Sequence, residues 1–284
     1  MATEFWKAPE QGKPRVSLLS SVLVTQETGD ERFNGGFNWE PDGCAPSGLY
    51  DVTPCIGSDA PSGEKSVFDT PAAVFTPGFG VYATDGCSGF GSVERDFKAR
   101  ALRNLDAARS MQIERQLWSD PLGLGGPKLA DPSAVDLTPA EGAVSAARGL
   151  KLIEAALGDC TGGRQGVIHA TPYAVGTWHE TSLVRTVPRD DEQDRVFSYM
   201  GSIVVPGRGY DGSSPDGDPA TEDEEWVYAT GPVWVRLGEA FVNPPTIAEA
   251  FNRSTNDTLF YAEQAVAVAF DPNCCVLAVR VTRA

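Results

Sequence analysis

Trp226-Val-Tyr-Ala-Thr-Gly-Pro-Val-Trp-Val-Arg-Leu237, a Pro244-Pro245 break, Asn252-Arg-Ser-Thr-Asn256, Tyr261-Ala-Glu-Gln-Ala-Val-Ala-Val-Ala-Phe-Asp-Pro272 and Val276 to Val281 fill most of the last fifth of the sequence. Apolar residues alternate or run on continuously here: Val233, Val235 and Leu237, then Val266, Val268 and Phe270. That pattern predicts strands with at least one buried face. Nothing in the block looks catalytic, so it reads as architecture.

Upstream the period changes. From Ser92 to Trp118 there is neither Pro nor Gly, and Ser92 stands as an N-cap ahead of Glu94. The predicted helix is roughly 40 Å long at about 1.5 Å per residue. Val93, Phe97, Ala101, Leu105, Ala108 and Met111 form one apolar stripe, while Leu102, Ile113 and Leu117 fall nearly opposite. A helix with two apolar faces is held between two layers. Beyond a Gly- and Pro-rich connection, a second helix is predicted from Pro139 to Leu157, with Thr138 as N-cap, Glu141 three residues on and Gly158 as its stop. Gly162-Gly-Arg-Gln-Gly-Val-Ile-His-Ala-Thr-Pro172 then reads as a turn feeding a short buried strand, and Tyr173 to Val187 as helical in its first part. Phe197-Ser-Tyr-Met-Gly-Ser-Ile-Val-Val-Pro206 reads as a further strand entering an acidic loop.

The N-terminal side is different in texture. Residues 1 to about 65 are punctuated throughout by Pro and Gly, and only Val16-Ser-Leu-Leu-Ser-Ser-Val-Leu-Val24 looks like a short strand or packed arm. Val67 to Tyr82 reads as extended strand broken by Pro71 and Pro77. So long a stretch without periodicity is commonly functional, or an arm ordered by a neighbouring subunit.

A chain of 284 residues, 41% hydrophobic and 22% charged, buries enough for one large domain or two modest ones. Its net charge of -16 argues against a nucleic-acid-binding surface, which needs clustered Lys and Arg. The acidic run from Asp211 to Glu225 holds no basic residue and reads as a solvated, mobile loop, without the spacing of a calcium loop. Cysteines stand at 44, 55, 87, 160, 274 and 275 with no Cys-x-x-Cys, and the N-terminus lacks a charged start followed by an apolar run. Reduced, buried thiols are therefore expected. Adjacent Cys274 and Cys275 would point to opposite faces of a strand, leaving Cys44, Cys55 and Cys87 as the one group able to pair or hold a metal. No apolar stretch approaches the roughly 20 residues that span a bilayer.

The chemistry-bearing residues are few. His169 and His179 are the two histidines, and His179-Glu180 lacks the second His of a helical zinc-hydrolase motif. Cys160 would need one of them beside it to act as a nucleophile. Gly162-Gly163 and Gly166 precede a strand, whereas a phosphate loop follows one. Gly86-Cys-Ser-Gly-Phe-Gly91 lacks a placed His or acid and reads as a turn before the long helix. No catalytic, cofactor-binding or metal-binding residue is predicted, and no cofactor.

An irregular arm, a loop-rich extended segment, a long two-faced helix, then a helix with intervening strands and a closing strand pair: this order resembles the major capsid proteins of tailed phages. Their α+β Hong Kong 97 phage fold is shared with encapsulin shells. Phe79-Gly-Val-Tyr-Ala-Thr-Asp-Gly-Cys-Ser-Gly-Phe-Gly91, Ile113-Glu-Arg-Gln-Leu-Trp118, Gly166-Val-Ile-His-Ala-Thr-Pro172 and the closing segment are similar to capsid proteins from phages of actinobacteria. The resemblance implies an N-terminal arm at 1–36, an extended loop and strand at 37–91, and the spine helix with the first part of a peripheral domain at 92–138. An axial domain at 139–219 and peripheral closing strands at 220–284 complete it. It also implies self-assembly into pentamers and hexamers that enclose double-stranded DNA without specific binding. Such a subunit is not an enzyme and makes no membrane contact; it belongs in the virion capsid, is assembled in the host cytoplasm, and meets a scaffolding, decoration or portal protein. Phe5, Trp6, Trp39, Lys65, Leu102, Ile113 and Leu117 are the candidate inter-subunit contacts. Some relatives cross-link a Lys to an Asn, but Lys65 has no matching partner here and that bond is not predicted. No long helical N-terminal extension is present, so scaffolding is expected to be separate or removed.

Two further readings stand beside this one. An encapsulin-type nanocompartment would share the fold, although the Pro-broken N-terminus is unlike a cargo-binding amphipathic helix. A small cytosolic hydrolase would use Cys160 or a metal at the scattered Cys and His positions. A phage accessory protein fits less well, because a long helix followed by mixed strands departs from the mostly β texture expected there.

Overall fold

The computed structural model describes residues 12, 14–27, 35–41, 43, 72–88, 96–189 and 193–283. Phe5, Trp6, Cys44, Cys55, Lys65 and Ser92 lie outside the described residues. The first elements are α1 (Leu18–Ser21), β1 (Leu23–Gln26), β2 (Phe37–Trp39), β3 (Val74–Thr76), β4 (Gly78–Ser88) and the long helix α2 (Phe97–Ser119). Then come β5 (Val135–Asp136), β6 (Val144–Ser145), α3 (Ala146–Cys160), β7 (Val167–Ala170), α4 (Pro172–Glu180), β8 (Val184–Val187), β9 (Arg195–Ser198) and β10 (Ile203–Pro206). The chain continues with β11 (Glu224–Thr230), β12 (Trp234–Leu237), β13 (Phe241–Asn243), α5 (Ile247–Ala250), β14 (Phe251–Asn252), β15 (Asp257–Ala269) and β16 (Val276–Thr282).

Two sheets organise these elements. The first is built on the long strand β15, with β4 antiparallel along one side and β12, β13 and β14 in succession along the other; β1 pairs in parallel with β12. The second runs β5-β16-β11-β7-β10-β9-β8, with β6 also on β16. The closing segment therefore serves both sheets: β12 and β15 enter the first, while β11, beside β7, and β16, beside β11, enter the second. Period-two alternation explains how both faces of the second sheet are buried. Val276, Ala278 and Tyr228 turn toward α2 and the first sheet. Leu277, Val279, Val281, Val227 and Ala229 turn toward α3 and α4.

Several local expectations are corrected. The long helix begins at Phe97, capped by Asp96, whose side chain accepts the Ala99 N–H. The second helix begins at Ala146, capped by Ser145, and continues past Gly158 to Cys160. Thr138 instead spends its hydroxyl on the edge of the second sheet, accepting the Arg280 N–H at 2.9 Å. Helix α3 can lie directly on β16 because residue 149 is Gly: a Cβ there would collide with Val281 Cγ1. Gly86 to Ser88 form the end of β4, paired with Asp257 to Leu259, rather than a turn. Phe197 to Pro206 make a hairpin, Ile203 opposite Phe197, with the turn at Tyr199 to Gly201.

The thiols also depart from expectation. Cys160, at the end of α3, is joined by a disulfide to Cys275, just before β16, closing a loop of 115 residues. Two cysteines so remote in sequence meet only because α3 folds back over the second sheet.

Candidate assembly surfaces

Helix α2 lies at the junction of the two sheets. Phe97, Ala101 and Leu105 pack on the first sheet, with Phe97 stacked on Phe260 at 6.3 Å between ring centres. Further along, Trp118 is fully buried; its Nε1 donates to Ser213 Oγ at 2.8 Å, and its ring meets Tyr210 and Tyr228 at 4.8 Å each. Buried side chains of this size contribute on the order of 1.5–3 kcal/mol each. Ile113 and Leu117, two of the expected inter-subunit contacts, are fully buried in this core and present nothing to a neighbour. In its C-terminal half α2 also meets the chain's own α1, through Glu114 and Leu18, and the 207–213 loop, through Glu114 and Gly209 and through Trp118 and Ser213. Leu102, one turn beyond the helix start, remains 37% exposed.

The acidic run is not the freely solvated loop its composition predicts. Tyr210, Ser213 and Ser214 are buried, the Ser213 carbonyl accepts the Tyr228 hydroxyl, and Ser214 and Asp218 bond to each other through backbone and side chain. Glu225 is buried too, accepting from Thr171 Oγ1 at 2.6 Å and paired with Arg283 at 3.2 Å. Short polar residues fold the loop onto α2, and the net charge alone could not reveal their partners.

The face of the first sheet turned away from α2 is unevenly covered. At one end Arg236, held by Glu27 at 2.7 Å, and Trp234 meet the ring of Phe37 on β2. At the other end the register sets Glu263 between Tyr82 and Phe241, then Tyr261 between Thr84 and Asn243, then Leu259 opposite Gly86. Tyr82 is 66% exposed, Phe241 55%, and Leu259 and Tyr261 are exposed as well. An aromatic row on an open sheet face has the composition of an interface centre, with a charge at its middle. The sequence reading did not single out these residues, although strict alternation through Leu259-Phe260-Tyr261 carries the signal: if Phe260 is inside, its neighbours are outside.

Trp39 ends the first strand of a two-stranded ribbon formed by β2 and β3, opposite Val74, and its Nε1 donates to Thr76 Oγ1 at 3.0 Å. The extended segment thus has paired strands at its root, which its Pro- and Gly-rich sequence concealed. A second projecting feature is the β9–β10 turn, where Tyr199 and Met200 are 83% and 71% exposed.

The histidines do not form a reactive centre. His169 is fully buried, Nδ1 at 2.9 Å from the Tyr210 hydroxyl and Nε2 at 3.1 Å from Thr230 Oγ1; burial lowers its pKa to about 3, so it is neutral. His179 Nε2 lies on α4 beside Thr186 Oγ1. Cys160 is in its disulfide and is no nucleophile. Among the described residues no three His, Cys, Asp or Glu side chains converge as a metal site, and no helix is long and apolar enough to cross a membrane.

Neither a protein-family model nor a curated protein sequence matches the chain. Solved structures do. An encapsulin, from the holo-SrpI encapsulin complex of Synechococcus elongatus PCC 7942, is 12% identical and superposes with a TM-score of 0.56 over 99% of this chain and 93% of its own. The capsid of an empty GTA particle is 13% identical, with a TM-score of 0.54 over 99% and 94%. The capsid of Ralstonia phage GP4 is 9% identical, with a TM-score of 0.52 over 99% and 95%. Nearly the whole chain is matched in each case at an identity that reports the backbone and not the side chains, and the chain accordingly has the Hong Kong 97 fold shared by phage capsids and encapsulins.

Proposed function

We propose that this chain is the major capsid protein of a tailed bacteriophage, a non-enzymatic subunit that assembles into pentamers and hexamers around double-stranded DNA. The observation that carries the proposal is the end-to-end likeness, over 99% of the chain, to subunits of closed shells. The bare aromatic row of Tyr82, Phe241, Leu259 and Tyr261 supports it, because rings of heterologous contacts need one face of each copy to be left for another. The charge of -16 supports it as well: a wall that does not adhere to phosphate leaves packed DNA free to exit.

In this reading residues 1–36 are the arm and 37–91 the extended loop rooted in the β2–β3 ribbon. Residues 92–138 and the closing strands at 220–284 are the peripheral domain and 139–219 the axial domain, with β11 and β16 of the closing strands carried into the second sheet. Leu102 and Trp39 stay as contact candidates alongside the aromatic row. The subunit belongs in the virion, assembled in the host cytoplasm with scaffolding, portal or decoration proteins. Negative-stain microscopy of the purified protein at high concentration tests the proposal: closed particles are expected, and a strict monomer under all assembly conditions would overturn it. The encapsulin likeness, at a TM-score of 0.56, favours a nanocompartment shell as the second reading. Nuclease-protected double-stranded DNA inside particles from the natural source marks the phage capsid; protein cargo marks the compartment.

A further inference from the structure

Strand β4 is a bare edge of the first sheet: its 11 residues pair with β15 along one side, and among the described residues no strand lies along the other. Gly238 donates its N–H to the Ala265 carbonyl, which turns the odd-numbered residues of β15 toward β12 and β13 and the even-numbered ones toward β4. By the alternation of antiparallel pairing, Val81, Ala83 and Asp85 therefore bond to β15, while Gly80, Tyr82, Thr84 and Gly86 direct their N–H and C=O groups outward. The Thr84 carbonyl agrees, accepting from Asn104 Nδ2 of α2 at 3.2 Å, outside the sheet. The outward-directed residues are all exposed. An unpaired edge is a template for strand addition, which proteins block with Lys, Pro, bulges or unpaired inward charges. Gly78-Phe-Gly-Val-Tyr-Ala-Thr-Asp-Gly-Cys-Ser88 holds no Lys or Pro, and its one charge, Asp85, is neutralised by Arg100 of α2 at 3.2 Å. Beside this edge runs a groove of about 340 Å³, floored by Ala83 of β4 and by Ala107, Ala108 and Met111 of α2, with the exposed Arg208 at its rim.

We infer that β4 receives an extended strand from a second copy of this chain, with every second side chain of that strand set in the groove against Ala83 and Met111. The inference rests on the shell-subunit reading and names where one copy grips the next. The open edge supplies main-chain hydrogen bonds, and the groove supplies register and selectivity. Its volume, at the small end of the about 300–1,000 Å³ of ligand pockets, takes one or two apolar side chains. The intervening side chains of the added strand fall on the face of Tyr82, so the edge joins the groove to the aromatic row. A second copy suits the charge as well, since a chain of net charge -16 brings carboxylates to Arg208.

Residue-resolved hydrogen exchange on the full chain tests this by comparing isolated subunits with assembled particles. The amides of Tyr82 and Thr84 are expected to exchange freely in the subunit and at least tenfold more slowly in the particle, whereas those of Val81 and Ala83 are protected in both. Thr84→Pro deletes one outward N–H, spares the bonds to β15 and is tolerated on an edge strand; it should cut particle yield at least tenfold. Thr84→Ala, which keeps the N–H, should assemble as the wild type does. Should the Pro variant fail to fold, the exchange comparison decides alone. Particles whose Tyr82 and Thr84 amides exchange as in the subunit would overturn the inference and leave the shell reading standing, as would normal assembly of Thr84→Pro. A chain that never self-associates overturns both. Protection already present in the monomer, or gained only with a different protein, also overturns the inference.

Discussion

The side chain of Glu114 accepts the backbone N–H of Leu18 at 2.9 Å, across 96 residues of sequence, and with its other oxygen that of Gly209 at 3.0 Å. One side chain in mid-helix thus ties the first helix and the loop after β10 to the spine. Gly209 can come this close because it lacks a Cβ, which would strike the Met111 carbonyl. Glu114→Ala strands two backbone donors and the Ser110 hydroxyl, at about 1–3 kcal/mol for each buried group left unmet. Thermal denaturation should show the loss, and the amides of Leu18 and Gly209 should exchange hydrogen faster. Glu114→Gln, which keeps one acceptor oxygen, should lose less. Equal exchange in wild type and the Ala variant would refute the tie.

The Cys160–Cys275 bridge restrains the unfolded chain over 115 residues. Cys160→Ser, or reduction of the wild type, should lower stability by about 2–5 kcal/mol, measured by denaturant melts with and without reductant. The variant should be indifferent to reductant if this bridge is the sensitive one.

His169 makes stability depend on pH. Its folded pKa is held near 3, while in the unfolded chain it titrates near 6.5. The unfolded state therefore gains a proton that the folded state refuses, and stability falls as pH drops from about 6.5 toward 3, at up to roughly 1.4 kcal/mol per pH unit. Glu114 acts in the opposite sense: burial raises its pKa above 4.5, so the folded state takes up its proton first, and its contribution is favourable at low pH and lost as pH rises. Tyr210, beside both, is pushed upward by burial and stays neutral throughout this range. Comparing pH–stability slopes of wild type and His169→Gln isolates the histidine; parallel slopes between pH 6 and 4 would contradict its buried neutral state.

Leu102 and Leu117 share a helix and differ in what surrounds them. Leu117→Asp buries a charge in the core, costs several kcal/mol and should yield unfolded or insoluble protein. Leu102→Asp should melt within about 0.5 kcal/mol of wild type, because the site is partly solvated. Sedimentation then reads its assembly, which is expected to fail. Normal particles from this variant would remove Leu102 from the contact surface.

The aromatic row is tested on the same principle. Tyr82→Ser with Phe241→Ser should leave the melting temperature nearly unchanged, since both side chains are solvated in the single chain. Particle yield by light scattering should collapse. A drop in stability without loss of assembly would assign the row to the subunit's own packing.

Legibility varied with the range of the forces involved. The apolar run through Val266, Val268 and Phe270 and the uninterrupted segment to Trp118 could be read directly, because periodicity is a local consequence of strand and helix geometry. Caps were less reliable: Thr138 and Ser145 are both competent N-caps, and the sheet edge claimed Thr138 through Arg280. The contact candidates were mixed, since an apolar stripe states that a face is covered without saying by what. Ile113 and Leu117 are covered from within the chain, and Leu102 is not.

The sequence by itself determined the order and type of the major elements and the net negative charge, which follow from composition and short-range pattern. Tertiary structure alone decided that β11 and β16 leave their sequence neighbours for the second sheet, that Cys160 reaches Cys275, that the acidic run folds onto Trp118, and that Tyr82 and Phe241 share one bare face. Each of those facts depends on pairing between residues far apart in the chain. Such pairing is selected by the packing of whole faces against one another, a quantity that no local window of residues contains.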